Sequence, residues 1–182
     1  MISESIKNGV IFGCEGPRLS EVEFDFFKET LPFGFILFSR NIFNSKQVIE
    51  LCQSLRDAVG WHAPILIDQE GGRVQRIRPP LALDRLPPLD EVQKAGQKAK
   101  SVFKLRFAEI ANELLSLGID FNCAPVLDIA RATTHTFLRN RCYGLNKSDV
   151  ISVGRVVYDA LKSNGVFPII KHIPGHGFAT HD

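Results

Sequence analysis

Residues 171–182 crowd a Lys, three His and an Asp around a Pro-Gly turn: Lys171-His172-Ile173-Pro174-Gly175-His176-Gly177-Phe178-Ala179-Thr180-His181-Asp182. They follow an apolar run, 165–170. Titratable groups just past the end of a buried strand are what an active site needs. His172, His176, His181 and Asp182 have the residue types of metal ligands. Their spacing matches no closed metal site, however, and Lys171 would add a repelling charge, so no metal is expected. Pro174 and Gly175 instead read as a turn that aims Lys171 and His172 at a polar ligand.

A second segment, 67–76, reads Ile67-Asp68-Gln69-Glu70-Gly71-Gly72-Arg73-Val74-Gln75-Arg76. Here an acid at a strand end precedes two glycines and two arginines three apart. The glycines let the backbone turn sharply and approach a ligand. Asp68 could accept from vicinal hydroxyls, while Arg73 and Arg76 could donate planar pairs to oxygens or hold the acids in place. A tight turn with a structural salt bridge explains the same residues equally well. A third cluster, Arg139-Asn140-Arg141-Cys142-Tyr143-Gly144, lies in a loop of roughly twenty residues between Asp128 and Lys147, a length that is uncommon without a function.

The elements that must position these groups alternate. Short apolar runs at 10–13, 35–38, 65–68, 120–124 and 167–171 predict buried strands. Ser20-Glu21-Val22-Glu23 has the capping-box pattern of a helix start. Val48, Leu51, Cys52, Leu55 and Val59 repeat with helical period. One long helix is expected from about 91 to 117, with Gly118 beyond its end, and another from an N-cap at Ser148 to about Asn164, with Gly165 after it. Alternation of this kind implies a parallel sheet covered by helices. Polar residues recur after strand upon strand: Ser39-Arg40-Asn41, Asp68 to Arg76, Asn122 and Asp128, then Lys171 onward. An open doubly wound sheet concentrates its chemistry at one switch point, whereas a (β/α)8 TIM barrel converges its loops on one face. The α/β fold expected is therefore such a barrel, truncated to about its first five βα units, since whole barrels take about 250 residues. Residues 1–182 form part of a single domain.

Composition excludes other classes. A net charge of +2, with 22 basic against 20 acidic residues, gives no basic stripe for nucleic acid or an anionic membrane. No apolar run approaches the ~20 residues of a membrane span. The first residues lack a secretory pattern, and four scattered cysteines (Cys14, Cys52, Cys123, Cys142) read as free thiols in a reducing cytoplasm. Phosphate-binding glycine motifs are missing, and no cofactor is expected.

Three segments resemble one family. Residues 67–76 are similar to the DQEGGRVQR stretch of glycoside hydrolase family 3 β-N-acetylglucosaminidases, 171–177 to their KHFPGHG loop, and 121–128 to their FAPVLD segment. Residues 34–41 are similar to their second strand and its loop. The resemblance implies a (β/α)8 barrel that removes terminal β-linked N-acetylglucosamine from cell-wall muropeptides in the cytoplasm, with retention of configuration. It implies that Asp68, Arg76, Arg141, Lys171 and His172 bind the sugar, and that the small-molecule substrate is the partner, without nucleic acid or membrane. Arg141 departs from the family's Gly-x-Arg-Ser pattern, since Asn140 and Cys142 flank it. Asp182 matches an Asp that orients the family's acid/base His, which would lie two positions further on; the family's Asp nucleophile lies later still. The 182-residue polypeptide alone is thus expected to be inactive, and its fifth strand to expose an edge open to self-association. A non-catalytic sugar-binding half-barrel and a metal-dependent barrel using the three histidines remain as alternatives.

Overall fold

The computed structural model describes residues 8–181. Asp182 lies outside the described residues. In chain order the elements are β1 (Asn8–Phe12), α1 (Glu21–Thr30), β2 (Pro32–Leu37), α2 (Ser45–Val59), β3 (Ile65–Ile67), β4 (Gln69–Gly71), β5 (Val74–Gln75), α3 (Pro88–Ala95), α4 (Ala99–Ser116), β6 (Phe121–Asn122), α5 (Thr136–Arg139), α6 (Lys147–Ser163) and β7 (Phe167–Pro168).

Local sequence explains where the helices begin and end. The Ser20 hydroxyl accepts from the Glu23 amide at 3.2 Å, and the Glu23 carboxylate accepts from the Ser20 amide at 3.1 Å, closing the expected capping box on α1. Asn44 caps α2 by accepting from the Gln47 amide at 2.9 Å, and Gly60 stops it in the left-handed region (φ 75°). The apolar stripe of α2 (Val48, Leu51, Cys52, Leu55, Val59) is buried as its spacing predicts.

Two helix expectations need correction. The long helix from about 91 to 117 is two helices, because the chain breaks at Gly96 (φ 53°) into a short 3-10 turn, Gly96–Lys98, before α4 resumes. The last helix is capped by Asn146, not Ser148: the Asn146 side chain accepts from the Asp149 amide at 3.0 Å, so α6 starts two residues earlier. Gly165 ends it at φ 87°, as expected.

Five strands form one parallel sheet in the order β1-β2-β3-β6-β7, with Phe35 beside Ile65, Ile67 beside Asn122, and Asn122 beside Pro168. Setting aside the separate β4–β5 hairpin, each strand of this sheet lies next to the sheet strand that precedes it in the chain. A doubly wound sheet reverses its order at a switch point; this sheet does not, and it forms the first five units of a (β/α)8 barrel. The last two strands are shorter than predicted: after Asn122 the Ala124 amide turns back to the Asn122 carbonyl (2.8 Å), and Pro168 has no amide to donate. Pairing continues past them, from Ile169 N to Asn122 O (2.9 Å) and from Lys171 N to Pro125 O (3.1 Å). Phe35, Leu37, Ile65 and Ile67 from the strands pack with Leu51, Leu55, Phe103, Phe107, Ile110, Leu114, Val157 and Leu161 from the helices as one core. Among the described residues β7 pairs on one side only, and Phe167 is 58% exposed at that edge. No described helix is long and apolar enough to cross a membrane.

Candidate active site

The chemistry gathers where β3, β6 and β7 end. Asp68 directly follows β3 and starts a small antiparallel hairpin, β4–β5. This hairpin is held from inside. Asn122, wholly buried, accepts from the Gln69 amide and donates to the Gln69 carbonyl, both at 3.1 Å. The Gln69 side chain accepts from the amides of Arg76 (2.9 Å) and Ile77 (3.0 Å). The Gln75 side chain donates to the Leu83 carbonyl at 2.7 Å. Gly71 (φ 112°) and Gly72 (φ 60°) make the expected sharp turn, but the close approach they allow is internal. An ideal Cβ on Gly71 would overlap the Arg106 guanidinium, and one on Gly72 would sit 2.8 Å from Pro87. Arg106 and Pro87 thus occupy the space that side chains at these two positions would need.

Seven side chains form one continuous network. Arg76 Nη2 donates to Asp68 Oδ2 at 3.0 Å. Lys171 Nζ bridges Asp68 Oδ1 (2.7 Å) and Glu70 Oε1 (2.5 Å). Arg141 holds Glu70 in a two-point grip, Nε to Oε2 at 3.0 Å and Nη2 to Oε1 at 2.9 Å. Arg141 Nη2 also lies 3.4 Å from His172 Nε2, and His172 Nδ1 lies 2.6 Å from Asp128 Oδ2. Three cations and three carboxylates thus alternate, with an imidazole between the last two.

All five expected ligand-binding residues in the described part, Asp68, Arg76, Arg141, Lys171 and His172, fall in this network. Arg73 does not: it is exposed and lies over the Phe137 ring, which Arg141 flanks as well. The His172 and His176 rings meet edge-on, with centroids 5.5 Å apart, but the histidines do not gather as a ligand set. His176 directs its ring at the His181 carbonyl (3.2 Å), and no group of three His, Cys, Asp or Glu among the described residues is placed to hold a metal. The four cysteines are free and buried.

Sequence reasoning placed Glu70 and Asp128 in its polar segments but gave neither a role in binding. Glu70 was readable, since residues two apart on an extended chain share a face and Asp68 already marked that face. Asp128 sits in the apparently irregular loop after β6, and only folding shows its partners.

Burial would raise the Asp68 carboxyl, but Lys171 and Arg76 outweigh it and hold the group below the ordinary carboxylate range. Burial opposes ionisation of Asp128 too, and is outweighed by the His172 ring and the His176 and Gly177 amides. Groups depressed on folding add stability above their unfolded pKa and lose it as pH falls through the folded value. The melting temperature of the full chain is therefore expected to hold down to about pH 4 and to fall below it. Asp68→Asn, scanned calorimetrically, should flatten that acid limb; an unchanged limb would remove Asp68 from the account.

The sequence profile of the glycosyl hydrolase family 3 N terminal domain matches residues 15–182. A beta-hexosaminidase of Methylococcus capsulatus is 33% identical over 173 residues, covering 94% of this chain and 51% of that relative. The crystal structure of NagZ from Neisseria gonorrhoeae in complex with N-trifluoroacetyl-D-glucosamine superposes with a TM-score of 0.85 at 28% identity, covering 95% of this chain and 52% of that one. A family 3 beta-N-acetylglucosaminidase from Paenibacillus sp. str. FPU-7 superposes with a TM-score of 0.86 at 29% identity, over 96% of this chain and 33% of that one. The chain spans about half the length of the curated relatives it matches.

Proposed function

The chain belongs to glycosyl hydrolase family 3, and from that membership we propose that it forms the sugar-gripping N-terminal part of a β-N-acetylhexosaminidase. The substrate of this reading is a terminal β-linked N-acetylglucosamine, released from a muropeptide with retention of configuration. The observation that carries it is the Lys171 ammonium shared between Asp68 and Glu70 at the mouth of the parallel strands. Two of its three N–H groups serve those carboxylates, leaving one for a ligand oxygen. Asp68 keeps lone pairs for a hydroxyl beside those given to Lys171 and Arg76, so donor and acceptor stand together, as neighbouring sugar hydroxyls require. Arg141 and His172 extend the same surface. The N-acyl glucosamine bound by the Neisseria relative supports the choice of sugar.

Cleavage with retention needs a nucleophile and an acid that later acts as base. In this reading Asp182 orients the acid/base His, and the residues of the network hold the sugar without breaking its bond. Buried free thiols suit the reducing compartment where such recycling takes place.

The test is titration of the 182-residue chain with N-acetylglucosamine. Asp68→Ala takes the carboxylate from Arg76 and leaves Lys171 with Glu70 alone, and Lys171→Met removes the cation shared by Asp68 and Glu70. Each is expected to weaken sugar binding by roughly 30-fold or more. Unchanged affinity in both variants would sink the assignment.

A further inference from the structure

The Asp128 carboxylate, its side chain 1% exposed, accepts four hydrogen bonds. They come from the His176 amide (2.6 Å), the Gly177 amide (3.0 Å), the His172 amide (3.3 Å) and the His172 ring at Nδ1 (2.6 Å). An ionised carboxylate only accepts, so Nδ1 carries the ring proton. Across the ring, Nε2 faces Arg141 Nη2 at 3.4 Å. A guanidinium only donates, so Nε2 presents its lone pair. Neighbours with fixed roles on both sides leave a single tautomer. The His172 side chain is 31% exposed and the 3.4 Å Arg141 contact is long, so a hydroxyl can take that one lone pair in place of Arg141.

We propose that Asp128 is a positioning residue that holds His172 as the Nδ1–H tautomer, making Nε2 an acceptor for a sugar hydroxyl. The acceptor role rests on the sugar-site reading above; the tautomer does not. Lys171, Arg76 and Arg141 can only donate, and Glu70 is spent on Lys171 and Arg141. A hydroxyl that must donate therefore needs Asp68 or His172. Through the His176 and Gly177 amides the same carboxylate fixes the turn that carries the ring, so ring and turn are oriented by one group.

Asp128→Asn separates these roles. Its amide oxygen still accepts from His176 and Gly177, while its NH2 replaces the oxygen facing Nδ1 and gives up the long (3.3 Å) bond from the His172 amide. Nδ1 must then accept, and the proton moves to Nε2, against the Arg141 donors. Long-range 1H–15N correlation on the full chain, labelled with 15N-histidine and assigned with His172→Gln, reads the tautomer directly. Nδ1–H in the wild type and Nε2–H in Asp128→Asn are expected. The Kd for N-acetylglucosamine should rise roughly ten-fold or more in the variant, with a melt close to wild type. Nε2–H in the wild type, or retained Nδ1–H in the variant, would overturn the tautomer. The wild-type spectrum decides this even if the variant folds poorly. A switched tautomer with unchanged affinity would overturn the acceptor role alone. Failure of the wild type to bind the sugar would overturn the sugar reading, and the acceptor role with it.

Discussion

Glu70→Ala is expected to destabilise the full chain by about 3–5 kcal/mol and to abolish sugar binding. The Glu70 side chain is wholly buried (0% exposed) and is held by both Arg141 and Lys171. Removing it leaves two desolvated cations facing each other, and the cost is chiefly that of their uncompensated charge. Lys171 would keep only Asp68, and Arg141 would lose both arms of its grip. Glu70→Gln keeps the shape and one accepting oxygen without the charge, so it should fall between wild type and alanine. Urea denaturation measures the loss. A loss below 1 kcal/mol in Glu70→Ala would mean that water replaces the carboxylate and that the network does not act as a unit.

Gly71→Ala is the second large effect, and it acts through backbone and packing together. Gly71 sits at φ 112°, where a Cβ is strained. That Cβ would also collide with the Arg106 guanidinium. Arg106 cannot yield cheaply. It is 5% exposed, donates to the Glu70 carbonyl, pairs with Glu91 and lies over the Phe103 and Phe107 rings. Burial pushes its pKa down to about 10, so it remains a cation whose displacement unpairs Glu91. Gly60→Ala is the control: its φ is 75°, but nothing lies within 4 Å of the added Cβ. Strain alone should cost Gly60→Ala about 1 kcal/mol, whereas Gly71→Ala should lose about 3 kcal/mol or more once the buried ion pair is disturbed. Equal losses in chemical denaturation would show that Arg106 gives way freely. Because Arg106 holds the Glu70 carbonyl, Gly71→Ala should also weaken sugar binding, which Gly60→Ala should leave intact.

Both residues show where sequence reading stopped. Gly71 was legible as a turn, since two adjacent glycines after an acid have few other uses. That the vacant Cβ position receives Arg106, from a helix 35 residues further on, was not, because no local pattern encodes that contact. The helix broken at Gly96 failed similarly: apolar spacing on both sides of the glycine is continuous, and its left-handed conformation is not visible in that spacing. Asn146 won the capping position from Ser148 because its side chain reaches the Asp149 amide, and both residue types are good caps.

What the sequence determined by itself was the strand–helix alternation, the capping of α1, the buried stripe of α2, the barrel class and five members of the polar network. Most of those follow from local rules: period, cap chemistry, and polar groups placed directly after apolar runs; Arg141 was singled out by the family resemblance alone. Tertiary structure alone decided that Glu70 joins Lys171, 101 positions away in sequence, and that Asp128 faces His172, 44 positions away. Parallel strands make such pairs because each crossover returns the chain to the same end of the sheet. The ends of β3, β6 and β7 thereby become neighbours, and charges that look solvated in the sequence must pair once water is excluded from between them.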